Sequence, residues 1–164
     1  MKKSSWTTKD IVQVGIIMAL YVVLTVAVAP LSYGNVQFRF SEILILLCFY
    51  NKKYNWSLII GCMIANIFSP LGIIDVCFGT LATFLTCFCM NKSKNIWIAS
   101  IFASLWNGLI VGAELSIFYE IPFFLTMLQV ILGEFVVVTI VGCPLWILLT
   151  SNKRIANLID NNRK

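Results

Sequence analysis

Histidine is absent from this chain of 164 residues. That removes the commonest general base and metal ligand. Without it no nucleophile–base pair is visible, so no catalytic residue is assigned and an enzyme is not expected. Phosphate-binding glycine loops of the G-x-x-x-x-G-K-[ST] kind are also missing, so the chain cannot itself use ATP in that way. There is no Cys-x-x-Cys pair, and Cys87-x-Cys89 is too close for ordinary metal-ligand spacing. The six cysteines (Cys48, Cys62, Cys77, Cys87, Cys89 and Cys143) fall in apolar segments and read as small buried residues. Neither a metal nor a cofactor is expected. Charge is scarce at 12% of residues and sits mostly in short clusters. No cleavable signal is expected either: the first apolar run is too long, lacks an A-x-A-like exit, and reads as a span.

What fills the chain instead is apolar. It is 60% hydrophobic with a mean hydropathy of +0.91, where soluble domains run near ~45–50% apolar. A soluble fold of this size could not hide that surface. A membrane span takes about 20 apolar residues, so the length holds roughly six spans and little else. The expected fold is a single all-α integral membrane domain over 1–164, a bundle of six transmembrane helices. Its spans are expected near 11–30, 38–50, 55–69, 73–90, 96–119 and 122–150. Thr7 or Thr8 is placed to cap the first helix. Pro30, Ser69-Pro70 and Glu120-Ile121-Pro122 end apolar runs, and Ser151–Lys164 reads as a polar, basic tail.

The basic residues orient the bundle. On the side of the N-terminus lie Lys2, Lys3, Lys9, Lys52, Lys53, Lys92, Lys94, Lys153, Arg154, Arg163 and Lys164. The other side has only Arg39. This is the positive-inside pattern, and it predicts both termini in the cytoplasm. It also explains the net charge of +5 without invoking nucleic acid. Two expected spans, Phe40–Tyr50 and Trp56–Phe68, are short: roughly 16–20 Å of helix at 1.5 Å per residue against a core of ~30 Å. Short segments often mark the binding region of a transporter. The alternative is a helix that starts at Val36 and carries Arg39 and Glu42 near the interface.

Five of the seven acidic residues belong to the outer half or the interior. A charged side chain there costs ~2.5–3.5 kcal/mol on insertion scales unless it faces a cavity, is paired or is protonated. Glu42 has a possible partner in Arg39. Asp75 follows Pro70 and Gly72 and would serve as a helix cap. Glu120 reads as a solvated turn residue. Glu114 falls about 7 Å inside the outer end of its span and Glu134 about 18 Å. Asn107 and Glu114 are seven apart and share a helix face, with Trp106 adjacent. Gln129 lies one to two turns outward of Glu134. Interhelical hydrogen bonding alone is one reading of these groups. The other is an outward-facing, acidic and amide-lined pocket with aromatic walls. Such a pocket suits a small ligand with a cationic group and hydrogen-bond donors, and a guanine-like edge offers N–H pairs that match a carboxylate. Gly15-x-x-x-Ala19 is a small-x-x-x-small pattern that permits close helix contact.

Several stretches together resemble the QueT family. They are Arg39-x-Ser41-Glu42, Gly61-Cys62-x-Ile64-Ala65-Asn66, Ser69-Pro70, Asp75-x-x-x-Gly79-Thr80-Leu81-Ala82-Thr83, Asn107-Gly108-x-Ile110-Val111-Gly112-x-Glu114-Leu115 and Gly133-Glu134. They keep their order over nearly the whole chain. One departure is Cys48-Phe49, where the family often has a proline near the end of the second helix. The resemblance implies a substrate-binding S component of an energy-coupling-factor (ECF) transporter in a bacterial cell membrane. It implies an ECF module as partner, made of a transmembrane coupling protein and two ATPase subunits. In such transporters the first helix docks through a small-residue face, which Gly15 and Ala19 would supply. The loop Leu31–Phe40 would act as a lid. The implied ligand is a 7-deazaguanine queuosine precursor: 7-aminomethyl-7-deazaguanine, queuine or queuosine. The substrate-binding candidates are Glu42, Asp75, Asn107, Glu114, Gln129, Glu134, Trp106, Arg39 and Asn66. Alternatives are an S component for another vitamin or purine-like compound, and an autonomous proton-coupled carrier with Glu134 as relay.

Overall fold

The computed structural model describes residues 6–34 and 37–159. Lys2, Lys3, Asp160, Arg163 and Lys164, a helix start at Val36, and part of the Leu31–Phe40 loop lie outside the described residues. Among the described residues the secondary structure is entirely helical.

Helix α1 (Thr8–Ala27) begins with a reciprocal cap. The Asp10 amide donates to Thr7 Oγ1 at 3.2 Å, and the Thr7 amide donates to Asp10 Oδ2 at 3.1 Å. Of the two threonines, Thr7 is the cap. After the short turn α2 (Ala29–Ser32), which carries Pro30, the chain re-enters through Gln37, whose φ of 49° is left-handed. The second pass differs from a plain helix. It is a 3-10 helix over Phe40–Leu46 that relaxes into α3 (Leu47–Tyr50). A 3-10 helix rises about 2.0 Å per residue, so the short segment reaches further than an α-helix of equal length. Arg39 precedes this helix in extended backbone, and both Arg39 and Glu42 are turned into the protein: they are 2% and 0% exposed.

Helix α4 (Tyr54–Asn66) turns at Ser69-Pro70 and at Gly72, whose φ of 56° favours glycine. Helix α5 (Ile73–Met90) follows. Helix α6 (Ile96–Tyr119) is capped by Asn95 Oδ1, which accepts from the Trp97 amide at 2.9 Å. It stops at Glu120, exposed and left-handed. The last long path is continuous: α7 (Phe123–Glu134), a π-helical stretch over Phe135–Gly142, and α8 (Cys143–Ser151). Pro144 has no amide to give, and its ring crowds the carbonyl four residues back. The wider π winding just before it relieves that crowding. Beyond, the expected tail instead folds as α9 (Lys153–Ile159). Gln13 Nε2 donates to Leu158 O at 3.4 Å and Asn51 Nδ2 to Ile159 O at 3.2 Å.

Among the described residues, four helical paths are long and apolar enough to cross a membrane: Thr8–Ala27, Ile73–Met90, Ile96–Tyr119 and Phe123–Ser151. Their outward faces carry exposed Ile16, Val23, Phe84, Ile101 and Leu148. Lipid tails are as apolar as leucine, so helix association rests on packing and interhelical hydrogen bonds. The larger buried apolar cluster surrounds the second pass and includes Leu46, Leu47, Leu58, Met90, Ala99 and Val138. Gly108 and Gly112 bring α6 onto α7: a Cβ at Gly112 would lie 2.8 Å from Met127 Cα. Thr126 Oγ1 donates across that seam to Gly112 O at 2.9 Å.

Candidate functional site

The chain has two distinct ends. One gathers the start of α1, the Asn51–Lys53 turn and α9. There Lys53 Nζ meets Asp10 Oδ1 at 2.8 Å and Gln13 Oε1 at 2.7 Å. The other end receives Arg39, the third residue of the 3-10 helix (Glu42), the third residue of α5 (Asp75), and Glu114, five residues before the end of α6. Glu134 enters deeper, about 17 Å along α7 by helix rise. These side chains are all at most 2% exposed.

Arg39 lies within electrostatic reach of Glu42, Asp75, Glu114 and Glu134. Yet no ion pair within 4.0 Å joins Arg39 to any carboxylate among the described residues. The expected Arg39–Glu42 pairing is therefore replaced by another partner. Tyr21 donates its hydroxyl to Glu42 Oε1. Arg39 itself rests its guanidinium 5.7 Å from the Tyr33 ring centroid and approaches Cys62 Sγ with Nη1 at 4.0 Å. Its Nε and Nη2 are buried without a hydrogen-bond partner among the described residues. The same holds for Glu42 Oε2, Asp75 Oδ1, both oxygens of Glu114, Glu134 Oε2 and Asn107 Nδ2. Asp75 does not cap α5; Gly72 holds that position. An orphaned buried polar group costs ~1–3 kcal/mol, more when charged, and ordinary interiors keep few of them.

Asn66 serves the cluster indirectly. Its Nδ2 donates to Asp75 O at 3.0 Å and contacts Cys62 Sγ at 3.4 Å. Gly79 makes room for it, since a Cβ there would fall on the Asn66 amide. Asn66 thus ties α4 to the start of α5. Gln129 is half-buried on α7 with Oε1 unpartnered. Trp106 lies elsewhere. Its indole N–H points to Cys89 Sγ at 3.4 Å, and Cys89 is 14 residues along α5 from Asp75, about 21 Å by helix rise. Gly15 and Ala19 are exposed, with nothing within 4 Å of a Cβ at Gly15.

The residues that sequence reasoning missed are Tyr21, Thr25, Ser41, Tyr33 and Cys62. Thr25 Oγ1 meets Ser41 Oγ at 2.6 Å, and Tyr33 donates to Ala65 O at 2.6 Å. A signal existed: Tyr21 and Thr25 are one helical turn apart and polar within an otherwise apolar span.

Chemically, these buried side chains offer carboxylate acceptors and a guanidinium. Carboxylates of this kind match polar groups that donate hydrogen bonds. Residues 11–151 match the model of the QueT transporter family. A protein of Lactococcus lactis subsp. cremoris (strain MG1363), the Queuosine precursor transporter QueT, is 40% identical over 152 residues, covering 82% of this chain and 88% of its own length. No solved structure matches the chain significantly. Because the match runs from the first turns of α1 to the end of α8 and takes in every residue of the acidic cluster, the chain belongs to the QueT transporter family.

Proposed function

We propose that this protein is the membrane-embedded S component of an ECF importer and captures a 7-deazaguanine queuosine precursor from outside the cell. The observation that carries the substrate reading is the gathering of Glu42, Asp75, Glu114 and Glu134 about one buried Arg39, with Asn107 Nδ2 buried and unpartnered on the helix that carries Glu114. A deazaguanine supplies the N–H donors of a guanine edge, and 7-aminomethyl-7-deazaguanine adds an amine. Carboxylates accept both. Arg39 offers donors for the carbonyl side of the base. Asn66 supports this site through Asp75, Gln129 lies at its margin, and Trp106 has no part in it. The name of the 40% identical relative points to the same substrate class.

Six crossings with cytoplasmic termini fit the six passes of the chain along the bundle, α1, the 3-10 helix with α3, α4, α5, α6, and α7 through α8. They also fit the joining of α1, the Lys53 turn and α9 at one end. That end carries the positive charge expected on the cytoplasmic side of a bacterial cell membrane, and the acidic cluster then belongs to the outer end. Gly15 and Ala19 form a bare strip on α1 where the coupling protein of the ECF module would dock, with its two ATPase subunits driving uptake.

Calorimetry on the purified protein tests the substrate. Deazaguanines should bind and unrelated vitamins should not; no binding to any deazaguanine sinks the reading. Co-purification tests the partner. Gly15→Leu with Ala19→Leu should abolish recovery of the coupling protein while leaving ligand binding intact. Uptake by proteoliposomes that hold this chain alone would favour a proton-coupled carrier instead. Deeply buried Glu134, with Oε2 unpartnered, is the observation behind that second reading.

A further inference from the structure

We infer that Tyr21 is a positioning residue for substrate: its hydroxyl holds one oxygen of Glu42, which leaves the other as the acceptor that meets the ligand. This rests on the reading that Glu42 belongs to the substrate site.

Three features of the fold lead there. First, Tyr21 is 0% exposed, in the apolar stretch of α1 between Gln13 and Thr25. Phenylalanine would pack as well, and a phenol buried without a partner costs free energy. Its one donor goes to Glu42 Oε1, while Glu42 Oε2 has no partner among the described residues. Glu42 is thereby left with a single uncommitted oxygen.

Second, the tether has a fixed register. Tyr21 and Thr25 stand one turn apart on the buried stripe of α1. They engage adjacent residues of the 3-10 helix, Glu42 through the phenol and Ser41 through a hydroxyl contact of 2.6 Å. Thr25 Oγ1 also returns a bond to Tyr21 O at 2.8 Å. Two such contacts on neighbouring residues fix both the rotation and the height of the 3-10 helix against α1.

Third, the tyrosine ring is itself seated. Gly61 on α4 lies against it, so that a Cβ there would come 3.3 Å from Tyr21 Cβ and 3.4 Å from Cδ1. Any larger residue would press the ring away from its place. Tyr21 is wedged between α4 and the 3-10 helix, and the Glu42 carboxylate inherits that rigidity. The terminal torsion of a free glutamate is broad and roughly two-fold. Fixing it before the ligand arrives removes an ordering cost from binding.

The test is a double-mutant cycle read by calorimetry with 7-aminomethyl-7-deazaguanine. Tyr21→Phe keeps the ring and its seat, so the thermal midpoint should hardly move. Affinity should fall about fivefold to tenfold. In a Glu42→Ala background the same change should have no further effect, because the group that Tyr21 positions is gone. An equal loss in both backgrounds would mean plain packing and overturn the inference, as would no loss in the parent protein. An infrared arm needs no ligand. The difference spectrum between the parent and Glu42→Gln isolates the Glu42 carboxyl band. Tyr21→Phe should shift that band by removing its hydrogen bond, and an unshifted band overturns the inference. If the parent binds no deazaguanine, the substrate reading fails by itself, and the infrared arm still decides whether Tyr21 holds Glu42.

Discussion

Around Lys53 and α9 the buried side chains are Leu46, Leu47, Leu58, Met90 and Val138, packed on one another, and the charged groups and the Trp146 indole have partners. Trp146 Nε1 donates to Ile43 O at 2.7 Å, and Lys53 reaches both Asp10 and Gln13. At the other end the buried side chains are Arg39, Glu42, Asp75 and Glu114, most of them with an atom left unpartnered. The same helices supply both ends, so the difference is one of use. One half of the bundle is organised for stability. The other carries unmet hydrogen-bonding capacity that burial makes costly, as expected where a ligand is to complete it.

Substitutions can break or sharpen that contrast. The largest effect on stability is expected from Leu58→Ala, which opens a cavity in the packed half and should cost about 2–5 kcal/mol. Thermal unfolding in detergent measures it, and the protein that stays folded should still bind ligand normally. Gly112→Leu should cost about 1–3 kcal/mol by forcing α6 off the α7 backbone near Met127. Because it also shifts Glu114 relative to Glu134, binding should fall with it. Glu114→Gln and Glu134→Gln should do the reverse of Leu58→Ala. Each should weaken deazaguanine binding tenfold or more, about 1.4 kcal/mol, while the thermal midpoint stays level or rises. A falling midpoint with unchanged affinity would assign both carboxylates to the packing of the bundle. Trp146→Phe removes one partnered hydrogen bond and should cost about 1 kcal/mol of stability. Trp106→Phe should leave affinity unchanged by calorimetry, since its indole contacts Cys89 and not the acid cluster.

Some of this was legible in the residue order. Apolar runs broken by Pro30, Ser69-Pro70 and Pro122 located the long helices, because proline and turn residues interrupt helical hydrogen bonding wherever they fall. The acids of the cluster stood out because a carboxylate in an apolar run needs a reason to be there. Other features were hidden. The 3-10 winding of Phe40–Leu46 left no mark that separates it from a short α-helix. The folding of Lys153–Ile159 onto the bundle end depends on backbone carbonyls meeting Gln13 and Asn51, which are distant in sequence. The close approach of α6 to α7 at Gly108 and Gly112 rests on facing residues such as Met127, which are distant in sequence.

The sequence by itself determined which segments are helical and apolar and which few positions carry charge among them. Local hydrogen bonding and solvent preference depend on neighbours along the chain, so a one-dimensional pattern suffices. Only the tertiary structure decided which polar groups meet. Arg39 could have paired with Glu42 one turn away, and Trp106 could have lined the site beside Asn107. Close contact between helices chose otherwise: Gly61 seats Tyr21, and Tyr21 takes the Glu42 oxygen. Each such hydrogen bond depends on interhelical distances of a few ångströms, and those are set by small residues on facing helices far apart in the chain.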